Sequence, residues 1–212
     1  AAELAHTMVA LGTAAGVKTR ALVTAMDVPL GLTAGNALEV RESVEVLAGG
    51  GPADVVELTI LLAREMIDAA GIVGKDPADA LRDGSAMDHW RRMISAQGGN
   101  PDAVLPVAKE SHQILATNSG TMTAMDAMKV GVAAWRLGAG RSRQGEKVQA
   151  GAGVELHAKP GDYVKQGSPI MTLFTDEPAR FERALEVLTG AVIIVEGGIV
   201  DRLPLVLERI EA

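Results

Sequence analysis

Residues 27–42 read DVPLGLTAGNALEVRE and combine turn residues with the start of a helix. Pro29 and Gly31 interrupt the short apolar run that precedes them, because neither residue continues a strand easily. Asn36 then stands where a helix N-cap belongs, and Glu39 follows three residues later as the second half of a capping box. The segment therefore predicts a strand, a shaped loop and a capped helix, in that order.

Apolar residues at helical spacing dominate the rest of the first half of the chain. We predict an opening helix that ends between residues 12 and 16, a buried strand over 19–26, a helix over 37–47, a longer helix from Asp54 and two short helices capped at Asp76 and Ser85. Asp54 and Glu57 form a second capping box. The longer helix has a continuous apolar stripe, which predicts that it packs between neighbours. The stripe consists of Val55, Leu58, Leu62, Met66 and Ala69.

A cluster of residues that break regular structure, at residues 97–101, marks a domain boundary. Beyond it, strand and helix patterns alternate. We predict strands over 111–116, 154–157, 169–174 and 191–195, and helices over 125–137 and 178–188. The predicted organisation is a partial α/β domain over residues 1–105, a small α/β domain over 106–200 and a C-terminal tail over 201–212.

The composition of the 212 residues argues against several kinds of function. Only five residues are aromatic, so stacking on nucleobases is not expected to be a main activity. The formal net charge of -7 gives no general attraction for nucleic acids or anionic membranes. No apolar run reaches the roughly 18 residues of a membrane span. The absence of cysteine rules out disulfides and thiol chemistry, and it favours a cytoplasmic location.

The segment at residues 27–42 resembles the signature of the thymidine and pyrimidine-nucleoside phosphorylases, which have Asp, Pro-Leu-Gly and Gly-Asn-Ala-Leu-Glu-Val in the same order. The resemblance covers residues 1 to about 195 and is weakest over 71–119. It implies an α/β fold: the C-terminal portion of the phosphorylase large α/β domain, followed by a small α/β hammerhead-like domain. We therefore expect this chain to be the C-terminal half of such an enzyme.

The resemblance implies a homodimeric pentosyltransferase that uses phosphate to split a pyrimidine nucleoside into free base and a pentose 1-phosphate. Such catalysis would rest on orienting phosphate and stabilising the departing base. The family's Lys-x-Ser motif, its Gly-rich phosphate loop and its pyrimidine-holding residues have no counterparts here. We thus expect no catalytic and no substrate-binding residue in this chain, no required cofactor, and no activity of the chain alone. A non-catalytic binding or structural module that keeps the fold is the alternative.

The resemblance also implies a site for a monovalent cation, potassium. The backbone carbonyls of Leu30 and Thr33 and the carboxylate of Glu42 are the implied ligands, and hard cations favour such oxygen atoms. The competing interpretation of Glu42 is an ordinary exposed glutamate.

A second resemblance leads away from the enzyme. Residues 159–167 resemble the Lys-x-Gly-Asp hairpin of biotinyl and lipoyl carrier domains, which would make Lys129 a candidate for modification. In carrier domains the modified lysine follows the hairpin, whereas Lys129 precedes it by about thirty residues within a helical pattern. We therefore do not expect a carrier domain.

Two further groups of polar residues carry weaker signals. The loop at residues 138–143 is rich in glycine but follows a helix, so it lacks the strand-loop-helix order of a phosphate-binding loop. The hypothesis remains that basic residues in and after this loop close over an anionic substrate. They are Arg141, Arg143 and Lys147. The four histidines are scattered without metal-ligand spacing, so no zinc site is expected.

Overall fold

Helices dominate the first half of the chain, as the apolar spacing predicts. The computed structural model describes residues 1–141 and 143–211. Two strands occur in this half, β1 (Arg20–Thr24) and the short β2 (Thr33–Ala34). The helices are α1 (Ala2–Ala14), α2 (Asn36–Leu47), α3 (Ala53–Ala69), α4 (Pro77–Arg82) and α5 (Ser85–Ala96).

Strands dominate the second half, and together the two halves form the mixed α/β fold that the sequence predicts. The elements are β3 (Glu110–Leu115), β4 (Gly120–Met125), α6 (Ala127–Ala134), β5 (Gly153–Leu156), β6 (Tyr163–Val164), β7 (Pro169–Thr175), α7 (Arg180–Leu188), β8 (Val192–Val195) and β9 (Val206–Glu211). A π-helical turn, Trp135–Ala139, follows α6 directly. The strands β3, β5, β7 and β8 lie close to the predicted positions, whereas β4, β6 and β9 were not predicted.

Within the described residues the strands form three small antiparallel sheets. Their orders are β2-β5-β7-β3, β6-β4-β8 and β1-β9. In the four-stranded sheet Thr33 pairs with Glu155. The loop of residues 27–35, called the signature loop below, therefore joins the small α/β unit directly. The sheet arrangement therefore places residues 27–42 against the second half of the chain.

The two-stranded sheet includes part of the predicted C-terminal tail over 201–212. Within that segment β9 pairs with β1, with Ala21 opposite Ile210, while Ala212 lies outside the described residues. β1 is half-buried along its length rather than the buried strand that its apolar residues predict. The predicted boundaries of the two preceding domains stay a prediction.

The hydrophobic core lies in the second half of the chain. Its buried cluster extends from Ala116 to Ala191 and has fully buried side chains at its centre, among them Met122, Leu137 and Leu173. Helix α7 contributes Ala184 and Leu188, as its apolar face predicts. Most of the buried hydrophobic residues in the described part of the chain therefore belong to the small α/β unit.

The helices of the first half are less buried than their stripes predict. In α3 only Leu58 of the predicted stripe is buried, and Met66 is 66% exposed. The face of α1 behaves likewise, since Leu11 is 71% exposed. The prediction that α3 packs between neighbours is therefore wrong for this chain. Among the described residues, no helix combines the length and apolar character needed to cross a membrane.

Candidate functional site

The signature loop is held at its helical end by a cap that is one residue earlier than predicted. Gly35, not Asn36, is the N-cap of α2, and the Gly35 N–H donates to Glu39 Oε1 at 2.8 Å. Gly35 has φ of 149°, and a Cβ there would lie 2.9 Å from Gly153 Cα. Asn36 instead donates through Nδ2 to the Ala139 carbonyl at 2.8 Å. The glycine is required because two backbones approach closely at this point.

The middle of the loop is fixed by two carboxylates from two different helices. The Gly31 N–H donates to Asp54 Oδ2 at 3.2 Å, and the Leu32 N–H donates to Glu42 Oε2 at 2.8 Å. Leu32 also accepts from the Leu156 N–H at 2.7 Å, which joins the loop to β5. The loop is therefore bound by α2, α3 and the four-stranded sheet together.

Asp54 does not cap α3, contrary to the sequence prediction. The N-cap of α3 is Pro52, and the Asp54 carboxylate instead faces Gly31 and the ammonium group of Lys159. Burial alone would raise the pKa of Asp54, but Lys159 and the N–H groups of Gly31 and Val55 bring this pKa below its ordinary value. Asp54 is thus charged and links α3, the loop and the hairpin that begins at Lys159.

Glu42 is buried rather than an ordinary exposed glutamate. Its residue is only 9% exposed, and burial raises the pKa of its carboxyl group. The Leu32 N–H and Thr33 act in the opposite direction, whereas the charges of Asp54 and Glu39 raise this pKa further. Within residues 1–141 and 143–211 no ion pair to Glu42 is found. A buried carboxylate in a negative surrounding is a site that favours a cation.

The other two predicted ligands lie in the same loop. Thr33 opens β2, and its hydroxyl oxygen is a buried side-chain atom. The hydroxyl lies beside the Glu42 carboxylate, and its hydrogen bond to that group opposes the rise in the pKa of Glu42 that burial causes. Leu30 lies in the same loop and is half-buried. The structure thus brings Thr33 next to Glu42, with Leu30 three positions away along the loop.

A cleft of about 1020 Å³ opens beside the loop. Its walls are the loop itself, the start of α3, the end of β4, the turn at residues 159–162 and the segments 190–193 and 200–205. Arg202 holds this segment to the turn by donating to the Pro160 carbonyl at 3.1 Å. The sequence did not predict the cleft or the Asp54–Lys159 pair, because the two residues of that pair are 105 positions apart.

The remaining candidate residues lie elsewhere. Lys129 is in α6, and its ammonium group donates to the Thr189 carbonyl at 2.9 Å at the end of α7. Arg141 and Arg143 flank Ser142, which lies outside the described residues, and both are exposed, as is Lys147.

Each histidine is in a different part of the fold, and His157 contacts Thr172 Oγ1 at 2.7 Å. Of the residues described, no three His, Asp or Glu side chains form a group suited to a metal ion.

Comparison with known proteins gives one consistent result. Residues 121–195 match the model of the pyrimidine nucleoside phosphorylase C-terminal domain. Thymidine phosphorylase of Mycobacterium tuberculosis strain H37Rv is 57% identical over 210 residues, which cover 99% of this chain and 49% of that protein. Thymidine phosphorylase of Homo sapiens is 36% identical over 84% of this chain and 41% of its own length. Pyrimidine-nucleoside phosphorylase of Bacillus subtilis strain 168 is 34% identical over 83% of this chain and 43% of its own length.

The chain spans about half the length of the curated relatives it matches. The matched domain, residues 121–195, contains most of the buried core, and the match at 57% identity also includes the signature loop. Agreement over both parts confirms what the signature predicts: the chain belongs to the thymidine and pyrimidine-nucleoside phosphorylase family and carries its C-terminal domain.

Proposed function

We propose that this chain is part of an enzyme that carries out reversible phosphorolysis of pyrimidine nucleosides, giving free base and ribose or deoxyribose 1-phosphate. The single observation that supports this most is the 57% identity, over 99% of the chain, to a protein named thymidine phosphorylase. Phosphate and a pyrimidine nucleoside are the proposed substrates. The chain alone is expected to be inactive.

The proposed contribution of residues 1–212 is to build and hold the signature loop. Two loop N–H groups are fixed on Asp54 and Glu42, and the loop pairs with β5 of the small α/β unit. A loop held from three sides keeps its geometry while substrate groups bind and leave nearby, and such fixed positioning contributes to catalysis. The chemistry itself is assigned to residues of the enzyme outside this chain.

A monovalent cation, potassium, is the proposed occupant of the loop. The residues fit such an ion, because Glu42 is a buried carboxylate without an ion pair in the described part of the chain and the negative charges of Asp54 and Glu39 act on it. Glu42 and the carbonyls of Leu30 and Thr33 would hold it, in keeping with the preference of hard cations for oxygen. When bound, the cation would supply positive charge against the Glu42 carboxylate.

We also propose a cellular location and an oligomeric state for the enzyme. A cytoplasmic location agrees with a chain that has no cysteine. The enzyme is proposed to be a homodimer that associates through a helical domain other than these residues. Light scattering of the chimera described next measures its mass and would contradict the dimer if it gave the mass of one chain.

A chimera tests the enzymatic proposal directly. The 212 residues replace the matching segment of the Mycobacterium tuberculosis thymidine phosphorylase, and phosphorolysis of thymidine and uridine is measured in phosphate buffer. We expect turnover by the chimera and none by the 212-residue chain. A chimera that folds, as shown by circular dichroism and a cooperative thermal transition, but does not turn over either nucleoside would favour the alternative of a non-catalytic module.

A further inference from the structure

The cleft beside the signature loop has the size and the apolar walls of a ligand site. Its volume is about 1020 Å³, close to the upper end of the roughly 300–1,000 Å³ typical of sites for small organic molecules. Its apolar side chains come from the loop, the end of β4, β8 and the segment 200–205. Among them are Val28, Leu30, Met125, Ile193, Leu203 and Leu205. A ligand with an apolar body would therefore remove these walls from water.

The charged residues that line the cleft are mainly acidic. Among the described residues, six acids and two bases line it, which leaves an excess of four negative charges. The acids are Asp27, Asp54, Glu57, Asp126, Asp162 and Asp201, and the bases are Lys159 and Arg202. A ligand that carries phosphate or another anionic group would be repelled here, whereas a cationic ligand would be attracted.

The bases of the cleft are already engaged, and three of its acids are not. Lys159 contacts Asp54, and Arg202 donates to the Pro160 carbonyl at 3.1 Å. In the described part of the chain, three exposed carboxylates of the cleft have neither an ion pair nor a hydrogen bond, those of Asp27, Glu57 and Asp201. Positive charge on a ligand would therefore meet carboxylates that are still available.

The residues around the cleft also indicate the kind of cation. None of the described residues that line it is aromatic, so the cleft lacks the aromatic faces that bind quaternary ammonium groups. Carboxylates accept hydrogen bonds, and primary and secondary ammonium groups donate them. The apolar walls favour aliphatic carbon between such groups. An aliphatic diamine or polyamine meets all of these requirements.

We propose that the cleft binds an aliphatic diamine or polyamine, whose ammonium groups bond to Asp27, Glu57 and Asp201 and whose methylene chain contacts the apolar walls. Asp27 lies in the signature loop and Asp201 in the segment 200–205, so the ligand holds these two segments together. The site is separate from the proposed potassium site, because Glu42 is not among the described residues that line the cleft. It is also independent of the proposed phosphorolysis.

Isothermal titration calorimetry of the 212-residue chain with two matched ligands tests the proposal. Hexamethylenediamine has a primary ammonium group at each end of a methylene chain, and hexamethonium has the same charge and the same methylene chain but no N–H group. Both are titrated at one potassium chloride concentration, which keeps the occupancy of the proposed potassium site constant. We expect hexamethylenediamine to bind at least about tenfold more tightly, because hexamethonium cannot donate hydrogen bonds to the carboxylates.

Two triple variants with the same loss of charge separate the cleft from the rest of the surface. The cleft variant combines Asp27→Asn, Glu57→Gln and Asp201→Asn. The control variant combines Asp88→Asn, Asp102→Asn and Glu182→Gln, at exposed acids that do not line the cleft. The cleft variant should weaken hexamethylenediamine binding by about tenfold, since it removes three exposed ion pairs. The control variant should stay within about twofold of wild type, because salt screens distant charges.

Several results would overturn the proposal. Equal binding of the two ligands would show that the N–H groups do not bond to the carboxylates, and this comparison holds even if the cleft variant fails to fold. Equal weakening by the two triple variants would indicate attraction by the net charge of the chain rather than by the cleft. A chimera that turns over nucleosides but does not bind the diamine would exclude the site and leave the proposed function intact.

Discussion

At Gly31 the backbone has φ of 69°, and a Cβ would collide with Glu42 Oε1. The same residue donates its N–H to Asp54. Position 31 therefore needs a left-handed backbone, has no room for a side chain and must keep its N–H for Asp54. These three requirements explain why a glycine stands between Leu30 and Leu32. Gly31 contributes to the site because it has no side chain that would displace Glu42.

Gly31→Ala should therefore cost more than a glycine substitution with the same backbone angle. Gly74 is the matched control, since it has φ of 73° and nothing within 4 Å of an added Cβ. Gly74→Ala should cost about 1–2 kcal/mol for the left-handed backbone alone. Gly31→Ala should cost about 1–3 kcal/mol more for the crowding against Glu42. Urea unfolding measures both values, and equal losses would contradict the predicted crowding.

Lys159 offers a second prediction for a single side chain. Lys159→Met removes the ammonium group that contacts Asp54 and should lower the free energy of unfolding by about 1.5–3 kcal/mol, as loss of a charged hydrogen bond does. Lys165→Met, at an exposed lysine in the same hairpin region, is the control and should have little effect. A double-mutant cycle with Asp54→Asn measures the coupling, and additive losses would show that the pair is not coupled.

The pKa of Asp54 determines how this contact depends on pH. The folded-state pKa of Asp54 lies below its ordinary value, so the contribution of the pair is fully present above the unfolded-state pKa of 3.8. It is lost as the pH falls through the lowered folded-state pKa. The difference in stability between wild type and Asp54→Asn, measured by urea unfolding, should therefore shrink below about pH 4.

At the scale of elements, the sheet of β1 and β9 is tied to α3 by charged side chains. Glu65 of α3 pairs with Arg20 at 2.9 Å and with Arg209 at 2.7 Å, one from each strand. Arg209 also lies 3.1 Å from Glu211. Since neither strand is buried along its length, this network supplements the few apolar contacts of the sheet.

Acid should weaken this attachment. The hydrogen bond from Arg209, followed by that from Arg20, lowers the pKa of Glu65 below its ordinary value of 4.5. The stability that Glu65 contributes is therefore present above pH 4.5 and is lost as the pH falls through the lower folded-state pKa. Urea unfolding at pH 3, 5 and 7 should show a smaller acid loss for Glu65→Gln than for wild type. Glu45→Gln, at an exposed residue of α2, should keep the full wild-type loss.

Sequence patterns predict elements whose cause is local. In α7 and in β7 the apolar residues that define the element are close together in the sequence, so their spacing alone predicts the element. The N-cap at Gly35 was missed because its reason is the backbone of Gly153, more than a hundred positions away. The sequence pattern also could not predict that Glu42 is buried. Glutamate is usually exposed, and its burial here depends on how α2 packs against the loop. The cation ligands came from the resemblance alone.

At the scale of the whole molecule, burial is uneven. The core cluster lies within the small α/β unit, whereas α1 and α3 keep exposed apolar faces. Local stability should follow local burial, because regions with few buried contacts open more easily. The described part of the protein is therefore expected to have its most stable region between Ala116 and Ala191.

Two leucine substitutions test this gradient. Leu173 is 0% exposed and Leu11 is 71% exposed. Leu173→Ala should lower the free energy of unfolding by about 2–5 kcal/mol, because it leaves a cavity in a packed core. Leu11→Ala should change it by less than about 0.5 kcal/mol. Chemical denaturation measures both, and similar losses at the two sites would contradict the assignment of the core.

The pairing of β1 with β9 also has a consequence for biosynthesis. About 180 residues separate Thr24 from Val206, which are partners across the sheet. At the usual rate of translation, about 5–20 residues per second, the earlier strand leaves the ribosome on the order of 10–40 seconds before its partner exists. During that interval the hydrogen-bonding edge of residues 20–24 is open to other nascent chains, so slower translation of the intervening codons should increase co-translational aggregation.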